Sequence, residues 1–353
     1  MTKEWDYEED FHKKHHKEGK KERKIFQAKD RSKYKKTDAE KHLNKTVSKE
    51  NLLRGRVISV TGKGIEVWSK KTRFFCSIKG ALKKEISRKK QIVATGDWVY
   101  MQPISSAEGQ IIDVETRSSK LERIDISGRK KQLIAANVDT VFITGSVHLP
   151  PLKPPLIDRY VIAAKKGGME PIVVINKIDL LENNSEEKQF FSEFLDAYSD
   201  LCILPVSCHT KQGIDELKRL MQTRTSVFSG QSGVGKSSLI NTVLDLHLPV
   251  GSLEYKGRHT TTKASLIPIG DKGFCIDTPG IRRFGLWDLQ KEDVFSRFSK
   301  IQQEAPFCKY ANCKHIHEPG CAVKRKVEEG SIPYMLYDSY QKLLLEAEEP
   351  TSF

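Results

Sequence analysis

Eight residues, Gly230-Gln231-Ser232-Gly233-Val234-Gly235-Lys236-Ser237, constrain what this chain can fold into more than any other stretch. They match G-x4-G-K-[ST], follow the strand-like run 224–228 and precede a helical stretch, the context in which such a loop closes around phosphates. Glycines at these spacings let backbone N–H groups converge, and the next helix adds its positive dipole. In that geometry Lys236 reaches the β- and γ-phosphates and the Ser237 hydroxyl ligates Mg²⁺. Gly230, Gln231, Ser232, Gly233, Val234, Gly235, Lys236, Ser237 and Ser238 are therefore the candidate phosphate-binding residues, with Lys236 also a catalytic candidate. The alternative, a chance glycine-rich turn, does not explain strand, helix, Lys and Ser all in register. A loop of this kind commits the chain to an α/β sheet.

The surroundings agree. Residues 138–143, 171–175, 201–206 and 224–228 read as buried strands, and 186–198 and 213–221 as helices. Strands alternating with helices give a mostly parallel sheet. Just past the second strand stand Asn176, Lys177, Ile178 and Asp179. A carboxylate at Asp179 can accept hydrogen bonds from guanine N1 and its 2-amino group, a donor pair that adenine lacks. Asn176 is expected to hold this base loop to the phosphate loop. Ser207 and Cys208, after the next strand, stand where a backbone N–H meets the guanine oxygen, although a strand-end turn reads the same way.

Downstream, Asp277-Thr278-Pro279-Gly280 follows the strand-like run 274–276. Asp277 is expected to hold Mg²⁺ through water, and the Gly280 N–H to sense the γ-phosphate. Between these motifs, Gly257-Arg258-His259-Thr260-Thr261-Thr262 offers a threonine to the Mg²⁺. Thr261 is the first choice and Thr260 the second, against local turn bonding of a Thr run.

The base-reading motif precedes the phosphate loop, so the nucleotide core is circularly permuted, which surface termini lying close together allow. The chain leaves this core directly after Gly280, so the segment beyond is expected to respond to the γ-phosphate. Ile281 stands near where Ras-type enzymes place a water-orienting Gln, a task an Ile cannot perform. His259, titratable near neutral pH, is the candidate substitute, with a surface histidine as the alternative.

Cys308, Cys313, His315 and Cys321 form C-x4-C-x-H-x5-C. Three thiolates and an imidazole suit tetrahedral Zn²⁺ with no open position, hence a structural site that folds its own segment. His317 is a competing ligand. Beyond lie the basic run Lys324-Arg325-Lys326 and a helical stretch, 334–346.

Before the sheet, residues 55–60, 64–68, 73–78, 97–101 and 110–114 read as five short strands, enough for an OB-like barrel. Lys63, Lys70, Lys71, Arg73 and Lys79 lie on or beside them. Trp68 and Phe74 either stack bases from outside or fill the barrel, since small barrels need large side chains within. Residues 1–50 hold sixteen Lys/Arg against eleven Asp/Glu and few aliphatics, the composition of a disordered polyampholyte arm. They supply only +5 of the net +14, so the excess is spread along the chain. A pI near 9.3 favours a polyanionic partner, or a plain basic surface. No run approaches the ~18 apolar residues of a membrane span, and the N-terminus has no apolar signal core. Seven scattered cysteines indicate a reducing cytosol rather than a disulfide framework.

In this order, N-K-I-D, G-Q-S-G-V-G-K-S-S, G-R-H-T-T-T, D-T-P-G-I and C-x4-C-x-H-x5-C, the chain resembles the bacterial RsgA (YjeQ/YloQ) family of small-ribosomal-subunit-dependent GTPases. Gly96-Asp97-Trp98-Val99 and Ala135-Ala136-Asn137-Val138-Asp139 fit as well, and the match covers about residues 52–345. Residues and resemblance together predict a multi-domain chain. Its parts are an arm at 1–50, an OB-fold at 51–118, a circularly permuted α/β P-loop GTPase domain at 119–290, and a mostly helical zinc-binding domain with a C-terminal helix at 291–353. The resemblance implies a cytoplasmic late-stage assembly factor that docks near the decoding region of 16S rRNA. It would hydrolyse GTP when the 30S subunit stimulates it, and then leave. Implied partners are the 30S subunit, 16S rRNA and other 30S assembly factors, with no membrane and a monomer by default. Implied cofactors are GTP/GDP, Mg²⁺ and one structural Zn²⁺. In that family the histidine matching His259 is proposed to act in hydrolysis, and the residues matching Cys308, Cys313, His315 and Cys321 bind zinc. Two other classes compete: a GTPase acting on another RNA, and a non-catalytic RNA-binding scaffold, against which Lys236, Ser237 and Asp277 stand.

Overall fold

A computed structural model describes residues 52–62, 64–78, 93–124, 131–244, 264–270, 272–277 and 289–348, all within the compact unit Lys49–Phe353. The arm at 1–50, Lys63, Lys79, His259, Thr260, Thr261, Gly280 and Ile281 lie outside the described residues.

The first five strands are β1 (Leu53–Val60), β2 (Ile65–Ser69), β3 (Thr72–Ile78), β4 (Trp98–Pro103) and β5 (Glu108–Val114). They pair in the order β1-β2-β3-β5-β4 and close through β1–β4, with β3 and β5 parallel. This is the expected closed OB-like barrel. Period-two alternation sends Val57, Val67, Phe74, Cys76, Met101 and Ile111 inside. Phe74 is 8% exposed and belongs to the core, whereas its neighbour Phe75 is 45% exposed on the outer face. Trp68 is half-buried, with the Arg73 guanidinium 6.0 Å from its ring centroid.

A hairpin of β6 (Lys120–Ile124) and β7 (Lys131–Ala136), not foreseen from sequence, leads from barrel to nucleotide sheet. Gly96 (φ 90°) lies so close to this hairpin that a Cβ would run into the Ala136 carbonyl. The Asn137 amide donates to the Gly96 carbonyl at 3.1 Å and accepts from Ser118 N at 2.9 Å, fastening the junction.

The nucleotide sheet contains β8 (Thr140–Ser146), β9 (Glu170–Asn176), β10 (Ile203–Pro205), β11 (Thr225–Gly230), β12 (Ser265–Ile269) and β13 (Gly273–Asp277). Its order is β10-β9-β8-β11-β13-β12, parallel except for β12, which runs antiparallel to β13. β12 also pairs with β1 at Ser59↔Ser265, so sheet and barrel are continuous. β8 and β11 are apolar or buried along nearly their whole length, the mark of a parallel strand covered on both faces.

Helices α1 (Pro154–Lys166), α2 (Ser185–Ala197), α3 (Ile214–Gln222) and α4 (Lys236–Leu244) flank the sheet. Pro154 and Pro155 pre-set φ for the first turn of α1, and the Asn184 side chain caps α2 by accepting from Glu187 N at 3.0 Å. Phe142, Ile172, Val174 and Phe228 turn to the face covered by α3 and α4. Val141, Ile143, Val173 and Ile175 turn to the opposite face, with α1 and α2.

The C-terminal helices are α5 (Lys291–Arg297), α6 (Ser299–Glu304), α7 (Ala322–Glu328) and α8 (Tyr334–Glu348). Val294, Phe298, Ile301, Leu336, Tyr340 and Leu343 join one core with Ile157 and Val161 of α1. This segment therefore shares a core with the nucleotide domain and does not rest on a metal alone. Arg297, buried, donates from Nε to Asp158 Oδ1 at 2.8 Å and from Nη1 to Asp200 Oδ2 at 2.6 Å. The hydroxyls of Tyr198 and Ser339 each donate to Asp158 Oδ2 at 2.5 Å. Among the described residues no helix is long and apolar enough to cross a membrane.

Candidate nucleotide site and metal centre

The phosphate-loop candidates lie at the carboxyl end of β11, where parallel α/β sheets form their crevices. Gly230 (φ 145°), Gly233 (φ 86°) and Gly235 (φ 94°) hold conformations L side chains rarely adopt. The space confirms the need: a Cβ on Gly230 would strike the Thr144 carbonyl, and one on Gly235 the Asn176 amide. Lys236 opens α4, and its Nζ donates to the carbonyls of Gly230 (2.8 Å) and Gln231 (2.5 Å). Ser232 and Gly233 are exposed, Gln231, Ser237 and Ser238 half-buried, and Val234 buried.

Asn176, at the end of β9, joins three segments. Its Nδ2 donates to the Val234 carbonyl at 3.0 Å, and its Oδ1 accepts from Cys208 N at 3.4 Å. Lys177 (φ 66°) precedes a short 3-10 turn, Ile178–Asn183. Within that turn Asp179 Oδ1 accepts from the buried Ser207 hydroxyl at 2.6 Å. Ser207 Oγ in turn accepts from His209 N and Thr210 N at 3.2 and 3.1 Å, which fixes the strand-end turn. Burial pushes the Cys208 thiol up. The sheet thus gathers Asn176, Lys177, Ile178, Asp179, Ser207 and Cys208 beside the phosphate loop. Asp277 ends β13, whose neighbour is β11, though its side chain lies outside the described residues.

Sequence reasoning missed the loop 147–152 after β8. Lys177 Nζ donates to the carbonyls of His148 (3.2 Å) and Leu149 there. Its one legible trait is position, at the carboxyl end of a buried parallel strand.

At the candidate metal centre, the donor atoms of Cys308, Cys313, His315 and Cys321 all lie within 4.8 Å of one another. Cys308 Sγ is 3.8 Å from Cys321 Sγ, and His315 Nδ1 is 3.4 and 3.5 Å from those two sulfurs. A tetrahedron with Zn–S bonds of about 2.3 Å has edges of about 3.8 Å, so the donor set fits zinc. His315 (φ 63°) is buried, and the Tyr337 hydroxyl donates to its carbonyl at 2.6 Å. Glu318 braces the loop, accepting from the N–H groups of Lys314, Ile316 and His317 at 2.8–3.1 Å. Desolvation would raise its carboxyl, but these donors outweigh it and hold the group at about 2. His317 is exposed and outside the cluster.

A family model described as RsgA GTPase matches residues 114–287. The relative "Small ribosomal subunit biogenesis GTPase RsgA" of Pectobacterium carotovorum subsp. carotovorum (strain PC1) is 40% identical over 271 residues, spanning 73% of this chain and 76% of the relative. The chain belongs to the RsgA GTPase family. The crystal structure of YjeQ from Thermotoga maritima superposes with a TM-score of 0.68 at 29% identity, covering 85% of this chain and 99% of that one. YloQ, described as a circularly permuted GTPase, gives a TM-score of 0.65 at 24% identity over 88% of this chain and 100% of its own. As an RsgA-family member the chain is a GTPase, hydrolysing GTP to GDP and phosphate, which brings GTP/GDP and Mg²⁺ as its cofactors.

Proposed function

We propose that this chain is a ribosome-dependent GTPase of late 30S maturation, binding near the decoding region of 16S rRNA and released on hydrolysis. The observation that carries the nucleotide site is Asn176, whose amide draws together motifs 58 and 32 residues apart in sequence. The subunit reading is supported by the name of the 40% identical relative and by the net charge of +14. Gly230 to Ser238 hold the phosphates, with Lys236 on the β- and γ-groups. Asn176, Lys177, Ile178, Asp179, Ser207 and Cys208 hold the base. Ser237 and Thr261 ligate Mg²⁺, Asp277 holds it through water, Gly280 senses the γ-phosphate, and His259 serves hydrolysis together with Lys236. Cys308, Cys313, His315 and Cys321 hold one structural zinc. The divisions at 50, 118 and 290 separate arm, barrel, GTPase and zinc-binding domains of a cytoplasmic monomer.

The test is GTP turnover with and without purified 30S subunits at fixed salt and Mg²⁺. Strong stimulation that Lys236→Ala abolishes supports the reading. Slow turnover indifferent to 30S removes the ribosome as trigger. Binding to 30S should also fall steeply with salt if the basic surface meets phosphates.

A further inference from the structure

We propose that His148 is a positioning residue for the nucleotide. Tied to Glu187, it fixes the backbone of the loop 147–152, whose carbonyls hold the Lys177 ammonium. This rests on the reading of Lys177 as part of the base site.

The loop leaves β8, the strand between β9 and β11, so it emerges between the base loop and the phosphate loop. Its Pro150 abuts the latter, with Cδ 3.4 Å from where a Cβ on Gly233 would stand. Leu149 sits at φ 35°, a conformation that persists in a non-glycine residue only where its surroundings impose it. The Leu149 side chain is 70% exposed and does not supply that restraint. Three anchors do. Val147 N donates to the Asn176 carbonyl at 3.2 Å, Ser146 Oγ donates to the Pro150 carbonyl at 2.7 Å, and His148 Nδ1 lies 2.8 Å from Glu187 Oε1.

The third anchor is the one that reaches outside the sheet. Glu187 is placed on the first turn of α2 by the Asn184 cap. Its Oε2 is buried with no hydrogen-bond partner among the described residues, so the carboxylate relies on His148. Lys177, itself at φ 66°, stretches its stem from the base loop to the carbonyls of His148 and Leu149. Free the His148 end and the loop keeps only its two anchors within the sheet, so the acceptors of that ammonium are held less firmly. The brace of the base loop against the segment touching Gly233 is then weakened.

The experiment measures the affinity of a fluorescent GDP for the full chain, with melting of the nucleotide-free proteins alongside. His148→Ala and Glu187→Ala should each weaken GDP by about three- to tenfold, the worth of one hydrogen bond. The double variant should be no worse than either alone. Neither change should add to Lys177→Ala, since both act through that residue. His148→Asn, which keeps a donor near the Nδ1 position, should restore binding, and serves if the Ala variant does not fold. GDP affinity unchanged in His148→Ala, or a loss that adds in full to that of Lys177→Ala, overturns the proposal alone. Unchanged GDP affinity in Lys177→Ala overturns the base-loop reading and the proposal with it.

Discussion

Replacing Arg297 with Met should loosen the C-terminal helices from the nucleotide domain by an amount the local geometry sets. Arg297 is 5% exposed and Asp158 0%, and they meet at 2.8 Å. Removing one partner of a buried ion pair typically costs about 3–5 kcal/mol, most of it from the charge left behind. Two features keep this case at the low end. The hydroxyls of Tyr198 and Ser339 still donate to Asp158 Oδ2. Burial already pushes the Asp158 carboxyl up against the pull of Arg297, Ser339 and Tyr198, so without Arg297 it can take a proton instead of staying charged. The expected loss is therefore about 3 kcal/mol. At about 2 °C per kcal/mol, the lower end for large units, the melting midpoint should fall by roughly 6 °C. Adding Asp158→Asn should recover part of the loss, because the orphaned carboxyl is then gone. Circular dichroism melting reads the midpoint, and hydrogen exchange across Tyr334–Glu348 locates the loosening. A fall below about 2 °C, or a double variant worse than the single, would refute the assignment of this pair as the fastening between α1 and α5.

Inosine triphosphate, lacking the 2-amino group, should bind about 10–150-fold more weakly than GTP, the worth of a hydrogen bond to a charged acceptor. Asp179→Ala should erase that gap in a competition titration, and a gap that persists assigns base selection elsewhere. Gly235→Ala places a Cβ at φ 94° and against the Asn176 amide, so calorimetry should show GTP affinity down at least about tenfold; binding within twofold would refute the crowding argument. Metal analysis should find one zinc per chain. Stripping it with a strong chelator should expose Cys308, Cys313 and Cys321 to a thiol reagent, adding three to the reactive count; no increase would mean these thiols hold no metal.

What could be read from sequence divides along physical lines. The five barrel strands carry period-two alternation, the buried parallel strands continuous apolar runs, and the phosphate loop its own backbone demand. Phe74 and Phe75 show the limit, because adjacent residues of a strand face opposite ways and a one-residue shift in register exchanges core for surface. The β6–β7 hairpin escaped notice because, among its described side chains, only Leu121, Ala135 and Ala136 are buried. Helix α1 begins at consecutive prolines, which mark a start only when a helix is already suspected. The Arg297–Asp158 pair joins residues 139 apart, and His148–Glu187 residues 39 apart, with no motif at either end. Partnership across the fold was legible only where a motif stands at its ends, as with Asn176 and the phosphate loop, 58 residues apart.

The permuted order gains a physical sense from the strand map. In an unpermuted arrangement the phosphate loop would open the domain. Here β11 lies mid-sheet between β8 and β13, and its loop is reached from both sides by earlier and later chain. β12 and β13 follow the Gly257–Thr262 motif, and β12 is the strand that pairs with β1 of the barrel. The barrel is thus hydrogen-bonded to the strand directly downstream of that motif. The C-terminal helices follow Asp277–Gly280 in the chain, yet they are fastened by Arg297 to α1, between β8 and β9. The two flanking modules therefore attach to the nucleotide core through different elements, the barrel through a strand edge and the Asn137 junction, the helices through a shared apolar core with α1 and the buried Arg297–Asp158 pair. A change that breaks the Ser59↔Ser265 pairing should affect the barrel junction and spare the Cys308–Cys321 cluster, whereas loss of Arg297 should do the reverse.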